Sequence, residues 1–481
     1  MANIQGKTVG DARYYIHSAV AIAIMVFFRF IPAPYPFTSG GMMVLGILIG
    51  AIYAFLNGNI FWGSFLGLLM IGASDYAAVG PTFASLFSNG IVMFLMLLFV
   101  LVGYLNSVGF ARALALKIVQ AEITRGRPWV LTFFLMLAAF IPATVMSVSA
   151  TLVIALTILY AICDELGIKR TEKWAVLTAI GIATACSFAL FFWPFQVVPV
   201  MLFQTMGAVG YAYEPTFMMY VLYSFIVTVL LMPATLLCIW LFKPDVTKVY
   251  NYKPPAEKAK FDSDQKFAAF IVILLLILFI VPQFLSAGTE FGRFFRQFGT
   301  VGVAAFLLAL GVFIRKDGKP RIDMAKATMG LQNWPLIMMV GSVVVISDVL
   351  TRPDLGFVDW VTQVLGPVIG VNSAMGFAFI IVVIAFVINW FVQGSLVIAL
   401  MVPLMIPLAQ SLGFNIMPFI LPFGVVINIG IILPSSHPLG AILHGHESVG
   451  GKAMIRYDSL ILLVTGLISI LVGVPLGFLL F

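Results

Sequence analysis

Small polar residues stand beside the same apolar phrase at two distant places in the chain. The stretch "SATLVIAL" begins at Ser149, and "QGSLVIAL" begins at Gln393. Hydroxyl and amide groups at such positions can hydrogen-bond a small ligand, and hydroxyl oxygens also suit a cation. The candidate ligand-site residues at these two places are Ser147, Ser149, Ala150, Thr151, Gln393, Gly394 and Ser395.

Prolines and polar residues interrupt two further apolar stretches, "FFWPFQVVPV" and "ILPSSHPLGAI". Proline frees a backbone carbonyl one turn earlier, and lipid tolerates such backbone only where protein or a wet cavity surrounds it. Freed carbonyls suit a cation, whereas the N-terminal ends of half-helices suit an anion. A plain proline kink explains either stretch alone, but two in matching positions favour a site. The candidates here are Pro194, Gln196, Ser435, Ser436, His437, Pro438 and Gly440.

The composition predicts that these stretches lie in a membrane. The chain has 481 residues, of which 62% are hydrophobic and 9% charged, against about 25% charged in an average soluble domain. Uncharged runs such as Ser88–Asn106 are long enough to cross a hydrocarbon core. The net charge of +7 fits basic cytosolic loops, so we expect no nucleic-acid partner. Cys163, Cys186 and Cys238 have apolar surroundings and predict neither a disulfide framework nor a zinc site.

Basic residues indicate which ends of the spans face the cytosol. The opening residues are polar and show no cleavable signal, so we expect a multi-pass protein of the cytoplasmic (inner) membrane with its N-terminus inside. Residues 128–163 have basic residues at both ends, whereas the pair 374–390 and 396–411 is followed by an uncharged stretch. We therefore predict two re-entrant hairpins that enter from opposite faces. The basic segments lie near residues 7–13, 112–127, 169–173, 243–266, 315–326 and 452–456.

An internal repeat accounts for the duplicated phrase. Asn89 and Asn333 are 244 residues apart, and so are Leu152 and Leu396. Each copy closes a hairpin that precedes a proline-interrupted span, and inverted repeats of this kind are typical of secondary transporters. We predict an all-α polytopic membrane fold of about eleven transmembrane helices plus two re-entrant hairpins in an inverted-topology repeat.

These motifs resemble the divalent anion/sodium symporter family of dicarboxylate carriers, within the ion-transporter superfamily. That family carries a Ser-Asn-Thr signature at each hairpin tip, followed by a proline. Here Gln393, Gly394 and Ser395 fall on one signature, and Pro403 follows at the expected distance. Ser149, Ala150 and Thr151 fall on the other, with Leu159 in place of the proline. In "LPSSHPLGAI", His437 takes the place of a family Thr, Leu439 of a Pro and Gly440 of an Asn, while Trp193–Gln196 matches it in the first half.

The resemblance implies an elevator-type carrier without cofactors, in which hairpin tips bind the anion and neighbouring oxygens hold sodium. Ser149, Ala150, Thr151, Gln196, Gln393, Gly394, Ser395, Ser436, His437 and Pro438 would then bind substrate. Ser147, Ser149, Pro194, Gln393, Ser435 and Gly440 would hold the coupling ion, either sodium or, with other residues, a proton. Residues 15–127 and 267–372 would form a homodimerising scaffold, 128–242 and 373–481 the transport domain, and 243–266 a cytosolic linker.

His437 has two interpretations. Histidine changes charge near neutral pH, so His437 could bind an anion or carry a proton. Alternatively, a neutral His437 satisfies the broken helix by hydrogen bonding. Further along, "HGHE" (His444–Glu447) resembles a metal site in composition, but two histidines two apart on a helix point about 200° apart.

The sequence therefore predicts a secondary active transporter of a small organic anion, a carboxylate or dicarboxylate, with a lipid bilayer as its surroundings. A proton- or sodium-linked exchanger of the same superfamily (an arsenite or sodium/proton type) is the alternative, and it would call for an intramembrane carboxylate that neither hairpin tip contains. A membrane enzyme would need a paired nucleophile and base or paired acids, which the motifs do not offer. We therefore expect no enzymatic activity.

Overall fold

The computed structural model describes residues 11–57, 59–209, 211, 217–255, 258–285, 289–328, 334–360, 363–364 and 373–481. The described chain is predominantly α-helical, with one short antiparallel ribbon of β1 (Arg315–Lys316) and β2 (Lys319–Pro320). Asn333 and the end of the second predicted scaffold segment lie outside the described residues.

The helices of the first half are α1 (Asp11–Phe27), α2 (Ser39–Asn57), α3 (Ile60–Gly72), α4 (Val79–Ser88), α5 (Gly90–Ser107), α6 (Phe110–Val119), α7 (Pro128–Ala143), α8 (Val148–Leu166), α9 (Lys173–Ala189), α10 (Val197–Ala208) and α11 (Phe217–Leu241). Those of the second half are α12 (Ser263–Ile280), α13 (Glu290–Phe313), α14 (Met324–Ala327), α15 (Trp334–Leu350), α16 (Ala374–Asn389), α17 (Gly394–Ser411), α18 (Met417–Val426), α19 (Pro438–His444), α20 (Gly450–Ala453), α21 (Ser459–Leu471) and α22 (Gly473–Leu480). A π-helical turn (Met454–Asp458) joins α20 to α21.

Both predicted hairpins are present as helical pairs, close to the predicted limits. The first consists of α7 and α8, joined by residues 144–147, and the second of α16 and α17, joined by residues 390–393. We call these joints the first tip and the second tip. Local sequence explains where α8 begins and ends, because the Ser147 hydroxyl accepts from the Ala150 N–H at 3.5 Å and Gly167 ends the helix with φ of 63°.

Six helices of the described part are long and apolar enough to cross a membrane, or up to seven if one bent pair counts as a single span. Two of the six are α8 and α17, the second arms of the hairpins. Several shorter apolar helices accompany them, including α7, α9, α15 and α16. A multi-pass arrangement is therefore clear, whereas re-entrant placement of the hairpins, their inverted repeat and a total of eleven spans stay predictions.

Helix α9 lies at the centre of the fold. Every residue from Trp174 to Ala189 is buried, since the helix packs against α7, α8 and α11. Small residues make this possible: a β-carbon on Gly181 would lie 2.7 Å from the Ile239 side chain. At its start, the Trp174 indole donates to the Thr132 hydroxyl at 3.0 Å and fixes α9 on α7.

Both hairpins are followed by an interrupted helix, as the prolines predict. The first break comprises residues 190–196, between α9 and α10, and contains Pro194. The second comprises residues 427–437, between α18 and α19. It begins well before Pro434, where the proline pattern places it, and the helix resumes at Pro438. Pro438 and Gly440 are therefore helical residues of α19.

Candidate functional site

A glutamine side chain joins the first break to the first tip. The buried Gln196 amide nitrogen donates to the Thr144 carbonyl and, at 3.5 Å, to the Ala143 carbonyl. These carbonyls end α7 and have no partner within their own helix. Gln196 is thus engaged as a donor, and only its amide oxygen remains for another ligand.

An asparagine performs the corresponding task at the second tip. The fully buried Asn389 oxygen accepts from the Gly430 N–H at 2.9 Å, and its nitrogen donates to the Val392 carbonyl at 3.2 Å. Gly430 belongs to the second break, so one amide again connects a tip with a break. This role is not apparent from the sequence, because Asn389 stands alone in the apolar run "IAFVINWFV".

Close backbone contact explains two of the glycines that replace family asparagines. A β-carbon on Gly394 would lie 2.2 Å from the Ile427 carbonyl oxygen, and one on Gly440 would lie 2.4 Å from that of Ile431. A side chain at either position would collide with the second break. Gly394 and Gly440 can therefore contribute only backbone groups to a ligand.

The most informative groups are two hydroxyls at corresponding positions of the predicted repeat. Thr151 is 1% exposed and Ser395 is 8% exposed, and they are 244 residues apart like the other predicted repeat pairs. Neither hydroxyl has a hydrogen-bond partner in the described structure. An unsatisfied buried hydroxyl costs about 1–3 kcal/mol, and a ligand that accepted from either hydroxyl would remove that cost.

Buried polar side chains of the second break form hydrogen bonds with backbone groups in or beside the break. The His437 Nδ1 atom accepts from the Leu439 N–H at 3.1 Å and so caps α19. A ring nitrogen that accepts is unprotonated, and the geometry therefore matches the neutral capping interpretation of His437. The buried Ser436 hydroxyl donates to the Leu433 carbonyl at 2.8 Å, whereas Ser435 is exposed.

Each half of the chain packs on the hairpin of the other half. Helix α10, after the first break, contacts α17 of the second hairpin, and α19, after the second break, contacts α8 of the first hairpin. The first break also meets α18, since a β-carbon on Gly424 would lie 2.3 Å from the Phe191 ring. A cavity of about 10 Å³ lies nearby, lined by residues that include Ser187, Ser224 and Asn428.

The remaining candidates lie around this core. Ser147, Ser149 and Ala150 are half-buried at the start of α8, and Gln393 is half-buried at the second tip. Pro194 is half-buried in the first break. The structure thus places the candidates in two clusters, each made of a hairpin tip and an adjoining break.

This arrangement has relatives among known proteins. Residues 22–389 match the family described as "citrate transporter". The chain belongs to the citrate transporter family. That result confirms the assignment to carriers of the ion-transporter superfamily, and it identifies a multi-pass membrane protein of a transporter family rather than an enzyme family.

A solved structure shares the fold. The YdaH transporter of Alcanivorax borkumensis, whose crystal structure was described as revealing an unusual topology, aligns with a TM-score of 0.55. The alignment covers 97% of this chain and 98% of that chain at 15% sequence identity, so the likeness concerns the fold. No curated protein matches this citrate transporter family member in sequence.

A larger cavity of this family member opens beside α10 and went unnoticed in the sequence. Its volume is about 520 Å³, and its walls come from α3, α4, α10 and α15 with the segments that adjoin them. Polar lining residues include Thr82, Gln204, Asp348 and Arg352. Gln204 and Gly207 place the cavity at the C-terminal end of α10, whereas Gln196 in the first break adjoins the start of this helix.

The "HGHE" residues do not converge on a metal site. The Tyr160 hydroxyl lies 2.5 Å from that of Ser448, which lies 2.8 Å from His446 Nδ1. The His446 ring also stacks on Tyr160, and His444 contacts the Ile432 carbonyl at 2.9 Å. In the described part of the chain, no three His, Cys, Asp or Glu residues form a group that could hold a metal. These contacts instead fix the end of α19 to α8.

Proposed function

We propose that this protein is a secondary active transporter that carries a small organic anion with carboxylate groups across the cytoplasmic membrane. One observation carries the proposal: Thr151 and Ser395, near the starts of α8 and α17 beside the two tips, are buried hydroxyls without partners in the described structure. A carboxylate that accepts from either hydroxyl would satisfy a buried polar group.

The charge distribution supports an anion of this kind. The tips and breaks contain no Lys or Arg in the sequence, so the ligand's charge would be met by hydroxyls, backbone N–H groups and helix ends. Helices α8 and α17 both begin at the tips, where the positive ends of their dipoles lie. The family's description as a citrate transporter makes citrate the first compound to test.

An elevator mechanism accords with the packing. Residues 128–242 and 373–481 would move together because each half packs on the other's hairpin, as α10 does on α17. Residues 15–127 and 267–372 would form the static, dimerising scaffold, with the N-terminus in the cytosol and 243–266 as the linker. The cavity beside α10 would then give the anion access from one face of the membrane.

The decisive experiment measures the thermal stability of the purified protein with citrate, succinate, malate and monocarboxylates, in sodium or in choline. A ligand at 100 times its dissociation constant stabilises by about 2.7 kcal/mol. We expect a carboxylate-specific rise in melting temperature that Thr151→Val and Ser395→Ala each reduce. The proposal fails if no carboxylate stabilises the wild type, or if both variants respond as the wild type does.

A further inference from the structure

Asp458 is a buried carboxylate that the sequence motifs did not include. It is 1% exposed, and its Oδ2 atom has no hydrogen-bond partner in the described structure. None of the ion pairs formed by the described residues involves it. A carboxylate in such surroundings is costly when ionised, and ionisable residues within membrane spans usually have a functional role.

The backbone around Asp458 is also irregular. Met454–Asp458 form a π-helical turn inside an otherwise α-helical span that runs from Gly450 to Leu480. Such turns are rare and occur frequently at functional sites. The turn places Asp458 and Met454 on the buried side, while Ile455 and Arg456 are exposed.

The turn packs against both α9 and α19, and these two helices contact each other. Helix α9 carries a second unsatisfied group, the fully buried Thr178 hydroxyl. Several buried helical threonines donate to the carbonyl four residues earlier, as Thr132, Thr184, Thr205, Thr235 and Thr465 do. Thr178 does not, so two unsatisfied oxygens lie on elements that contact each other.

Other titratable groups on these elements are engaged or exposed. Lys173, Lys452 and Arg456 are exposed, His444 contacts the Ile432 carbonyl, and the Tyr457 ring packs on Phe242. Cys186 lies near the opposite end of α9, and α21 has no titratable residue. Asp458 therefore forms no ion pair with a fixed cation in the described structure, and uptake of a mobile cation would neutralise it.

We propose that Asp458 carries the coupling proton of this transporter. The carboxylate takes up one proton from one side of the membrane, becomes a neutral carboxyl group, and releases that proton on the other side. A proton needs a single oxygen, whereas a metal cation needs several converging ones. The proposal rests on the proposed function and specifies its coupling ion. It also supplies the intramembrane carboxylate that the hairpin tips do not contain.

The test uses vesicles reconstituted with the full chain and radiolabelled citrate, with the membrane potential clamped. A tenfold proton gradient should sustain about tenfold citrate accumulation for one coupled proton. Asp458→Asn, which mimics the neutral form, should lose accumulation but retain citrate exchange across the membrane. Asp458→Glu should restore part of the coupling. Asp164→Asn, at an exposed carboxylate paired with Arg170, is the matched control and should behave as the wild type.

The outcomes separate this proposal from the proposed function. Continued proton-driven accumulation by Asp458→Asn would overturn the role of Asp458, and accumulation driven by sodium alone would replace the proton with sodium. If the wild type exchanges no carboxylate, the proposed function fails, and infrared spectroscopy of the ligand-free protein decides about Asp458 independently. We expect a protonated-carboxyl band at neutral pH that is missing in Asp458→Asn and present in Asp164→Asn; an unchanged band refutes the assignment.

Discussion

The Asn389 side-chain oxygen accepts from the Gly430 N–H at 2.9 Å and thereby ties the second hairpin tip to the second break. The close approach depends on the glycine, because a β-carbon at Gly430 would lie 2.4 Å from that same oxygen. Gln196 makes the corresponding connection in the first half through the Thr144 carbonyl. Each half of the fold therefore has one amide that fixes a tip to its break.

Removal of either amide should loosen its own tip. Asn389→Ala leaves the buried Gly430 N–H and Val392 carbonyl without their partner, at about 1–3 kcal/mol for each unsatisfied group. We expect a lower melting temperature and faster hydrogen exchange in residues 427–437. Gln196→Ala is the matched variant and should speed exchange near residues 144–147 instead. If each variant speeds exchange equally in both segments, the two amides do not act as separate connections.

The unpaired hydroxyls should affect ligand binding more than folding. Thr151→Val removes a buried hydroxyl without a partner, so the ligand-free protein should be at least as stable as the wild type. Affinity for a carboxylate should fall by about tenfold or more, because a hydrogen bond to a charged group contributes about 1.5–3 kcal/mol. Melting curves with and without citrate measure both quantities.

Thr132→Val is the control for that substitution. Thr132 accepts from the Trp174 indole and donates to the Pro128 carbonyl, each at 3.0 Å. Loss of the Thr132 hydroxyl should lower the melting temperature, but citrate should still raise that temperature as much as it does in the wild type. The opposite pattern, in which Thr151→Val destabilises and still responds to citrate, would mean that the Thr151 hydroxyl has a structural role.

Gly394 should tolerate no side chain. In Gly394→Ala the added carbon would lie 2.2 Å from the Ile427 carbonyl oxygen, and overpacking of this kind costs about 1–3 kcal/mol. Gly80→Ala is the comparison, since nothing lies within 4 Å of a β-carbon there. Alanine in that helix should be neutral or stabilising by up to about 1 kcal/mol. Equal melting temperatures for the two variants would show that the second break yields to the added carbon.

The predicted linker should loosen from the start of α9 in acid. The Lys169 N–H and the Lys248 ammonium group, which bond the Glu172 carboxylate at 2.9 Å and 3.2 Å, lower the pKa of Glu172. A lowered pKa means that this contact stabilises the fold above the ordinary glutamate pKa, and that the contribution is lost as the pH falls through the lowered value.

Hydrogen exchange of residues 243–252 can test this prediction. Exchange should quicken on acidification in the wild type and be quick already at neutral pH in Glu172→Gln. Glu122→Gln, which removes the contacts with Arg125 and Lys258 instead, is the control and should retain the acid response of the wild type. If hydrogen exchange of the linker in the wild type does not depend on pH, Lys248 is held by its other contact, the Gly167 carbonyl at 2.8 Å.

The sequence by itself determined the membrane class, the two helical hairpins and the interrupted helix after each one. These features depend on local chemistry: long apolar runs, proline within them, small polar residues at the tips and basic residues at the ends. The observed limits of α7, α8, α16 and α17 accordingly fall within a few residues of those predicted. The start of the second break differs, because α18 already ends at Val426, well before Pro434.

The tertiary structure alone decided which polar groups are already engaged. His437 is used as a cap and Gln196 as a donor to the first tip, whereas the hydroxyls of Thr151 and Ser395 remain without partners. Asp458 likewise looks like an ordinary residue at the end of a span until the packing of neighbouring helices buries it. Hydrogen-bond partners and burial depend on contacts between residues far apart in the chain, and no local pattern in the sequence records them.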